Sequence, residues 1–276
     1  MKIILKSIGL YLRAINRLSA KVGGKHAFYV FCSPFSAKIT PKQQNFLDSA
    51  IQKDIEVEGE RVKLYKWGEG DQKVLCVHGW RSNTYRWRDY INQLVNKGCT
   101  VYSLDFPAHG NSEGRFWNLL KGEATIKATL NQIGVVDTII SHSVGCFCSL
   151  YFCDQNPSLQ PNKMVSLASA GRVHDFINEV KSMLGLSENV MNNLEDYFTD
   201  FAQKDPDYFD IENFFTQIKS KALIIHDEDD PDTDVKYSKR LHELYDDSEL
   251  VITKGLGHKL RSKDVLQRVV EYVITQ

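Results

Sequence analysis

Ile140-Ser141-His142-Ser143-Val144-Gly145 follows an apolar run and precedes a helix-compatible stretch, Cys146 to Cys153. A strand that turns this sharply into a helix strains the residue at the apex and crowds its neighbours. Positions two before and two after that apex must therefore be small. Here they are Ser141 and Gly145, and the apex is Ser143, which such a turn presents as a nucleophile. Gly is usual at both flanking positions, so Ser141 departs from the usual pattern while remaining small. Taken alone, the segment also fits an ordinary serine-rich helix start. The rest of the chain has to decide.

Outward from this turn, short apolar runs alternate with helical stretches. Candidate strands are Val74 to Val77, Thr100 to Leu104, Asp137 to Ser141, Met164 to Ala168, Ala222 to His226 and Glu249 to Thr253. Strands alternating with helices predict an α/β fold with a mostly parallel central sheet flanked by helices. Ahead of them, the alternation from Ile55 to Tyr65 reads as a β-hairpin with one wet face. About fifty residues separate the strand ending near Ala170 from the one starting at Ala222, too many for a single crossover helix. That spacing predicts an inserted helical cap, with Phe176, Ile177, Val180, Met183, Leu184, Met191, Leu194, Tyr197, Phe198 and Phe201 at helical steps.

Two further segments give Ser143 partners. Val77-His78-Gly79-Trp80 ends an early strand, and a hydrolase needs backbone N–H donors there and just after its nucleophile. Trp80 and Val144 fill those two positions, Gly79 allows close approach of the backbone, and His78 is expected to fix the loop rather than act as a base. At the other end, the acidic run Asp227-Glu228-Asp229-Asp230 closes one strand and Gly255-Leu256-Gly257-His258 follows the next. An imidazole that takes a serine proton must be held in one tautomer by a carboxylate. The chain order is then Ser, Asp, His.

With these segments, the chain from about Ile55 to its end resembles the α/β-hydrolase fold superfamily, in a capped, serine esterase- or lipase-like form. Leu104-Asp105-Phe106-Pro107-Ala108-His109-Gly110-Asn111-Ser112 is similar to that family's Asp-x-Pro-Gly-x-Gly-x-Ser loop, with Ala108 where Gly is common. The family's acid lies three residues after a Gly that closes the strand. Asp227 occupies that Gly position, so the resemblance places the acid at Asp230, with Asp229 as the fallback and Asp232 behind it. The implied site is Ser143, Asp230 and His258, an oxyanion hole from Trp80 and Val144, and supporting residues His78, Gly79, His142 and Gly145. Ser143 rather than Asp at the turn excludes the chemistry of haloalkane dehalogenases and epoxide hydrolases.

The implied activity is hydrolysis of a carboxylic ester of a small or medium acyl substrate through an acyl-enzyme, with no metal or organic cofactor required. Carbon–carbon bond hydrolysis with the same residues is one alternative, and a non-catalytic small-molecule-binding protein of the same fold is another. No Walker A sequence, dinucleotide glycine pattern or His-Glu-x-x-His occurs in the chain.

Composition sets the remaining bounds. With 42% hydrophobic and 25% charged residues and a net charge of -1, the chain reads as an ordinary globular protein with no overall field for nucleic acid. Its charge is uneven: eight Lys and Arg and no acid precede Asp48, so the first 47 residues carry +8 and the remainder -9. Ile4, Ile8, Tyr11, Leu12, Ile15 and Leu18 recur at helical steps among these cations, predicting an amphipathic helix ended by Gly23-Gly24, with a second short helix from about Pro41 to Ala50. Its apolar face is expected to pack on the core or cap; contact with an anionic membrane surface is the alternative.

No apolar run reaches the ~20 residues that span a bilayer, and no signal peptide is recognised, so a cytoplasmic location is expected. Six cysteines agree: Cys76, Cys99, Cys146 and Cys148 sit among apolar or small residues, and Cys146, Cys148 and Cys153 are read as buried thiols rather than a metal site. The segments expected are an N-terminal helical extension (1–52), a hydrolase core (53–170 and 221–276) and the cap insertion (171–220).

Overall fold

The computed structural model describes residues 2–214 and 217–275; positions 1, 215, 216 and 276 of the expected segments lie outside them. The strands are β1 (Ile51–Val57), β2 (Glu60–Trp67), β3 (Gln72–Val77), β4 (Cys99–Leu104), β5 (Thr138–His142), β6 (Lys163–Leu167), β7 (Lys221–Asp227) and β8 (Ser248–Thr253). The helices are α1 (Lys2–Leu18), α2 (Ala20–Phe31), α3 (Pro41–Leu47), α4 (Arg88–Asn96), α5 (Leu119–Ile133), α6 (Val144–Gln155), α7 (Val173–Leu184), α8 (Glu188–Ala202), α9 (Lys236–Leu244) and α10 (Lys263–Ile274).

Two compact units emerge, one made of residues up to 33 with 172–213, the other of 34–171 with the chain from 214 onward. In the larger unit the strands form one eight-stranded sheet in the order β1-β2-β4-β3-β5-β6-β7-β8. Only β2 runs against its neighbours; from β4 through β8 every pairing is parallel. The β1–β2 hairpin closes through Glu58 and Gly59, both with positive φ (49° and 77°), the handedness that matches strand twist.

Strands β3 and β5 are apolar on both faces because both faces are covered. Val74, Cys76, Ile140, Val165, Leu223 and Ile225 pack with Trp87, with Ile91 and Leu94 of α4 and with Val265, Val269 and Val273 of α10. Leu75 and Ile139, one residue out of step and equally buried, point the other way. At about 25 cal/mol per Å² of apolar surface removed from water, such side chains each contribute roughly 1.5–3 kcal/mol.

The smaller unit is a helical body. α1 and α2 pack on each other, α2 runs along α8, and α1 touches α7. Thus the first part of the N-terminal extension, up to residue 33, and residues 172–213 of the insertion between β6 and β7 share one body, while residues 34–52, expected with the extension, belong to the unit that holds the sheet. Phe28 of α2 sits among the rings of Tyr197, Phe198 and Phe201 at 5.0–5.9 Å.

One expectation is corrected here. Gly23-Gly24 does not end the first helix; the break falls at Ser19, whose side chain caps α2, and both glycines lie inside α2. They are contact surfaces: a Cβ on Gly23 would fall 2.4 Å from Asn16 Oδ1, and one on Gly24 2.0 Å from the Asn193 carbonyl. Helices approach this closely only where side chains are absent.

The cysteines are buried and free: Cys32, Cys76, Cys99, Cys146, Cys148 and Cys153. Cys146 points its thiol at the Leu167 carbonyl, Cys148 at that of Leu119 and Cys153 at Met164 Sδ, so the three helical thiols diverge.

Candidate active site

The parallel strands end on one edge of the sheet, and the segments singled out in the sequence all follow those ends. Ser143 links β5 to α6 with φ 57° and ψ -128°, a conformation that costs an L-residue energy and persists where its surroundings over-determine it. Its amide donates to the Leu167 carbonyl of β6 at 2.9 Å. Gly145 is required sterically, since a Cβ there would lie 2.5 Å from the His78 carbonyl and 2.8 Å from that of Val77. Ser141 is accommodated because it is buried in the strand and its hydroxyl donates to the Val165 carbonyl at 3.1 Å.

Across the turn lies the end of β3. Gly79 approaches so closely that a Cβ on it would be 2.9 Å from Ser143 Cβ. Trp80 is next in the chain after Gly79, and Val144 follows Ser143 directly as the first residue of α6. His78 Nδ1–H donates to the Gly79 carbonyl at 2.8 Å and its Nε2 accepts the Phe106 amide at 3.0 Å. Complete burial pushes its pKa down to about 4, so the ring is a neutral clamp on the loop.

His258, after β8, closes the arrangement. Its Nε2 faces Ser143 Oγ at 3.0 Å and its Nδ1 faces Asp230 Oδ2 at 2.9 Å. One tautomer satisfies both contacts: Nδ1–H donates to the carboxylate and Nε2 accepts the serine hydroxyl. Among the neighbouring acids, it is Asp230 that His258 meets.

Around Asp230 the site holds more than the sequence reading found. Its Oδ1 accepts the amides of Asp232 (2.8 Å) and Thr233 (3.0 Å), and its Oδ2 accepts the Thr233 hydroxyl at 2.9 Å. His226 Nε2 lies 3.2 Å from the same Oδ2 and 3.0 Å from the Thr233 carbonyl, while its Nδ1 takes the Ser238 hydroxyl at 2.6 Å. Burial alone would raise the Asp230 pKa; the hydrogen bonds from His226, His258, Thr233 and Asp232 outweigh it and hold the carboxyl well below the ordinary range.

The loop bearing His258 is tied down by side chains that hydrogen-bond its backbone rather than Ser143. Asp227 Oδ2 accepts the Thr253 hydroxyl at 2.7 Å and the Leu256 amide at 3.0 Å. Arg86 Nη2 donates to the Lys259 carbonyl at 2.9 Å, and His142 Nε2–H donates to the carbonyl of His258 itself at 2.8 Å. Burial, then the nearby Arg86 and His258, keep His142 neutral.

Residues 73–210 match the family described as alpha/beta hydrolase fold, which is half of the chain. The chain belongs to this family. Over 93 residues it is 28% identical to the dihydrolipoyllysine-residue acetyltransferase component of the acetoin cleaving system of Cupriavidus necator, of which it spans about a quarter (33% of this chain, 25% of that protein). An esterase from Exiguobacterium antarcticum superposes with a TM-score of 0.65 at 17% identity, covering 82% of this chain and 100% of the esterase. A monoacylglycerol lipase from Paleococcus ferrophilus gives 0.60 at 17% identity, covering 77% of this chain and 98% of the lipase. These likenesses carry the fold.

Within this alpha/beta hydrolase fold the Asp105 loop is a structural brace. Asp105 is fully buried and accepts the Thr84 amide (2.7 Å), the Asn111 amide (2.9 Å) and the Tyr65 hydroxyl (3.1 Å). A Cβ on Gly110 would meet its carboxylate at 2.1 Å. Ala108, at the position where the family pattern carries Gly, has φ 63°. The brace holds Phe106, whose amide His78 receives, and through His78 it supports the Gly79 loop.

Proposed function

We propose that the protein is a serine hydrolase that cleaves a carboxylic ester of a small or medium acyl substrate. The observation that carries this is the row from Ser143 Oγ through His258 to Asp230, with both ring nitrogens of His258 satisfied in one tautomer. Ser143 attacks the ester carbonyl while His258 Nε2 takes the hydroxyl proton, and Asp230 stabilises the imidazolium that forms. The amides of Val144 and Trp80 receive the oxyanion. Collapse expels the alcohol, which takes the proton from His258. Water, activated by the same imidazole, then releases the acid and restores Ser143. The esterase and lipase among proteins of similar fold favour an ester as substrate, and six buried free thiols fit a cytoplasmic setting.

The test is labelling of the purified protein with a fluorophosphonate, alongside Ser143→Ala and a series of p-nitrophenyl esters of rising chain length. Labelling and turnover in the wild type, with labelling abolished and turnover down at least ~10⁴-fold in Ser143→Ala, is expected. A wild-type protein that neither labels nor hydrolyses any ester overturns the reading in favour of a receptor of the same fold.

A further inference from the structure

The amphipathic helix read from the sequence packs with only part of its apolar surface. Gly9, Leu12 and Asn16 of α1 are buried, and Asn16 Oδ1 accepts Asn193 Nδ2 of α8 at 2.8 Å. Leu5, Ile8 and Ile15 are partly buried, and five large apolar residues remain open to solvent: Ile3 is 81% exposed, Ile4 65%, Leu10 63%, Tyr11 47% and Leu18 85%. At 100° per residue these five, with Ser7 and Ala14, fall within an arc of about 120° on the side away from Leu12. Lys6 and Arg17, both exposed, lie along one border of that arc.

We propose that this face of α1 docks on an anionic lipid surface. Soluble chains seldom leave so many large apolar side chains together in water. The charge of the helix selects the partner, because α1 carries Lys2, Lys6, Arg13 and Arg17 and no Asp or Glu. A second copy of the chain meeting it face to face would oppose one basic stripe to another. A layer of anionic headgroups over acyl chains offers both complements at once, with apolar side chains entering the boundary and cations remaining at headgroup level. The helix lies on the surface: no helix among the described residues is long and apolar enough to cross a membrane.

The experiment is co-sedimentation of the full chain with phosphatidylcholine vesicles, with and without 30% phosphatidylglycerol, at low and high salt. Ile4→Glu/Leu18→Glu and Lys6→Glu/Arg17→Glu variants are compared, and circular dichroism melting confirms that each folds. Binding to the anionic vesicles is expected to exceed that to neutral ones by at least about tenfold and to fall with salt, since each basic residue near such a surface is worth about fivefold. The Ile4→Glu/Leu18→Glu variant should lose binding to both vesicle types, and Lys6→Glu/Arg17→Glu should lose the preference for anionic lipid. No binding of the wild type to anionic vesicles at low salt overturns the proposal, as does binding indifferent to Ile4→Glu/Leu18→Glu. A dimer in sedimentation velocity that the same variant dissolves would assign the face to a second copy instead.

Discussion

The two halves of the candidate site are held by different physics. Around Ser143 position is set by shape: Gly145 has carbonyls at van der Waals limits, Gly79 presses on Ser143, and the flanking rings of His78 and His142 are buried and neutral. Around Asp230 position is set by donors converging on a charge, from the amides of Asp232 and Thr233, the Thr233 hydroxyl, His226 and His258. A steric site fails when atoms are added, and a hydrogen-bonded one when a charge or acceptor is removed.

The largest expected effect is on the charged side. Asp230→Asn leaves an amide where His258 Nδ1–H must donate, so the wrong tautomer faces Ser143; ester turnover should fall by ~10³–10⁴ while Ser143 stays in place. Melting should also drop by roughly 1–3 kcal/mol, because several donors lose a charged acceptor. A variant retaining a tenth of wild-type kcat would show that Asp230 is not the orienting acid. On the steric side, Gly145→Ala places a methyl 2.5 Å from the His78 carbonyl and forces the end of β3 to move. A loss of about 1–3 kcal/mol by denaturant titration is expected, with fluorophosphonate labelling slowed by displacement of the turn. An unchanged midpoint would mean that the turn has slack.

Acid should separate the halves. His78 is pushed down to about 4 and His109 to about 3 by burial, and His142 lies well below its ordinary value. In the unfolded chain each titrates near 6.5. Below that pH the unfolded chain takes up protons that the folded one refuses, so stability falls as pH drops from about 6.5, by up to ~1.4 kcal/mol per unit for each histidine. Asp230 and Asp227 have lowered values, so their contribution is lost only as pH falls below the ordinary carboxylate range. Asp105, raised by burial, pulls the other way. Calorimetry near pH 5.5 should find net proton uptake on unfolding; uptake near zero would contradict neutral rings in the fold.

Asp227→Gly, the residue the family pattern has there, removes the acceptor for the Leu256 amide and the Thr253 hydroxyl. With the His258 loop loosened, kcat should fall about tenfold with KM little changed, since misplacement costs the chemical step rather than binding. Asp227→Asn keeps one acceptor oxygen and should recover part of the loss. Equal kcat in all three proteins would make Asp227 an ordinary loop residue.

The steric half was legible in the sequence and most of the polar half was not. Small residues at 141 and 145 around Ser143, and Gly79 at the end of a strand, are constraints on residue type at fixed local spacing. The sheet was legible for the same reason, since burial on both faces demands continuous apolar runs. Asp230 follows from a family spacing, but Thr233, Ser238 and His226 act through side-chain contacts within one β7–α9 segment, and Arg86 through a contact with Lys259 far along the chain, none of which their residue types alone announce. Gly23-Gly24 was misread because glycine that ends a helix and glycine that lets two helices touch look alike until the partner, Asn193, is known. Of the apolar positions read on α1, Leu12 is buried and Ile8 and Ile15 partly so, while Ile4, Tyr11 and Leu18 join Ile3 and Leu10 on an uncovered side; which side is covered depends on contacts with α2 and α7 that the pattern of one helix does not contain.

Ser141 offers the smallest effect and the finest test of the contrast. If the position two before Ser143 needed Gly for space alone, Ser141→Gly would relieve crowding and stabilise the turn. In the structure the side chain is buried without collision, and its hydroxyl donates to the Val165 carbonyl of the adjacent strand. Ser141→Gly therefore removes a buried hydrogen bond, at a cost of about 1 kcal/mol, and adds backbone freedom inside a strand, at roughly 0.5–1 kcal/mol more. Stability should fall by about 1–2 kcal/mol in urea titration while ester turnover stays within about twofold, because the φ of Ser143 is set by Gly145, Gly79 and the Leu167 carbonyl. A more stable variant with faster turnover would place Ser141 among the strained contacts and move this one position from the polar account to the steric one.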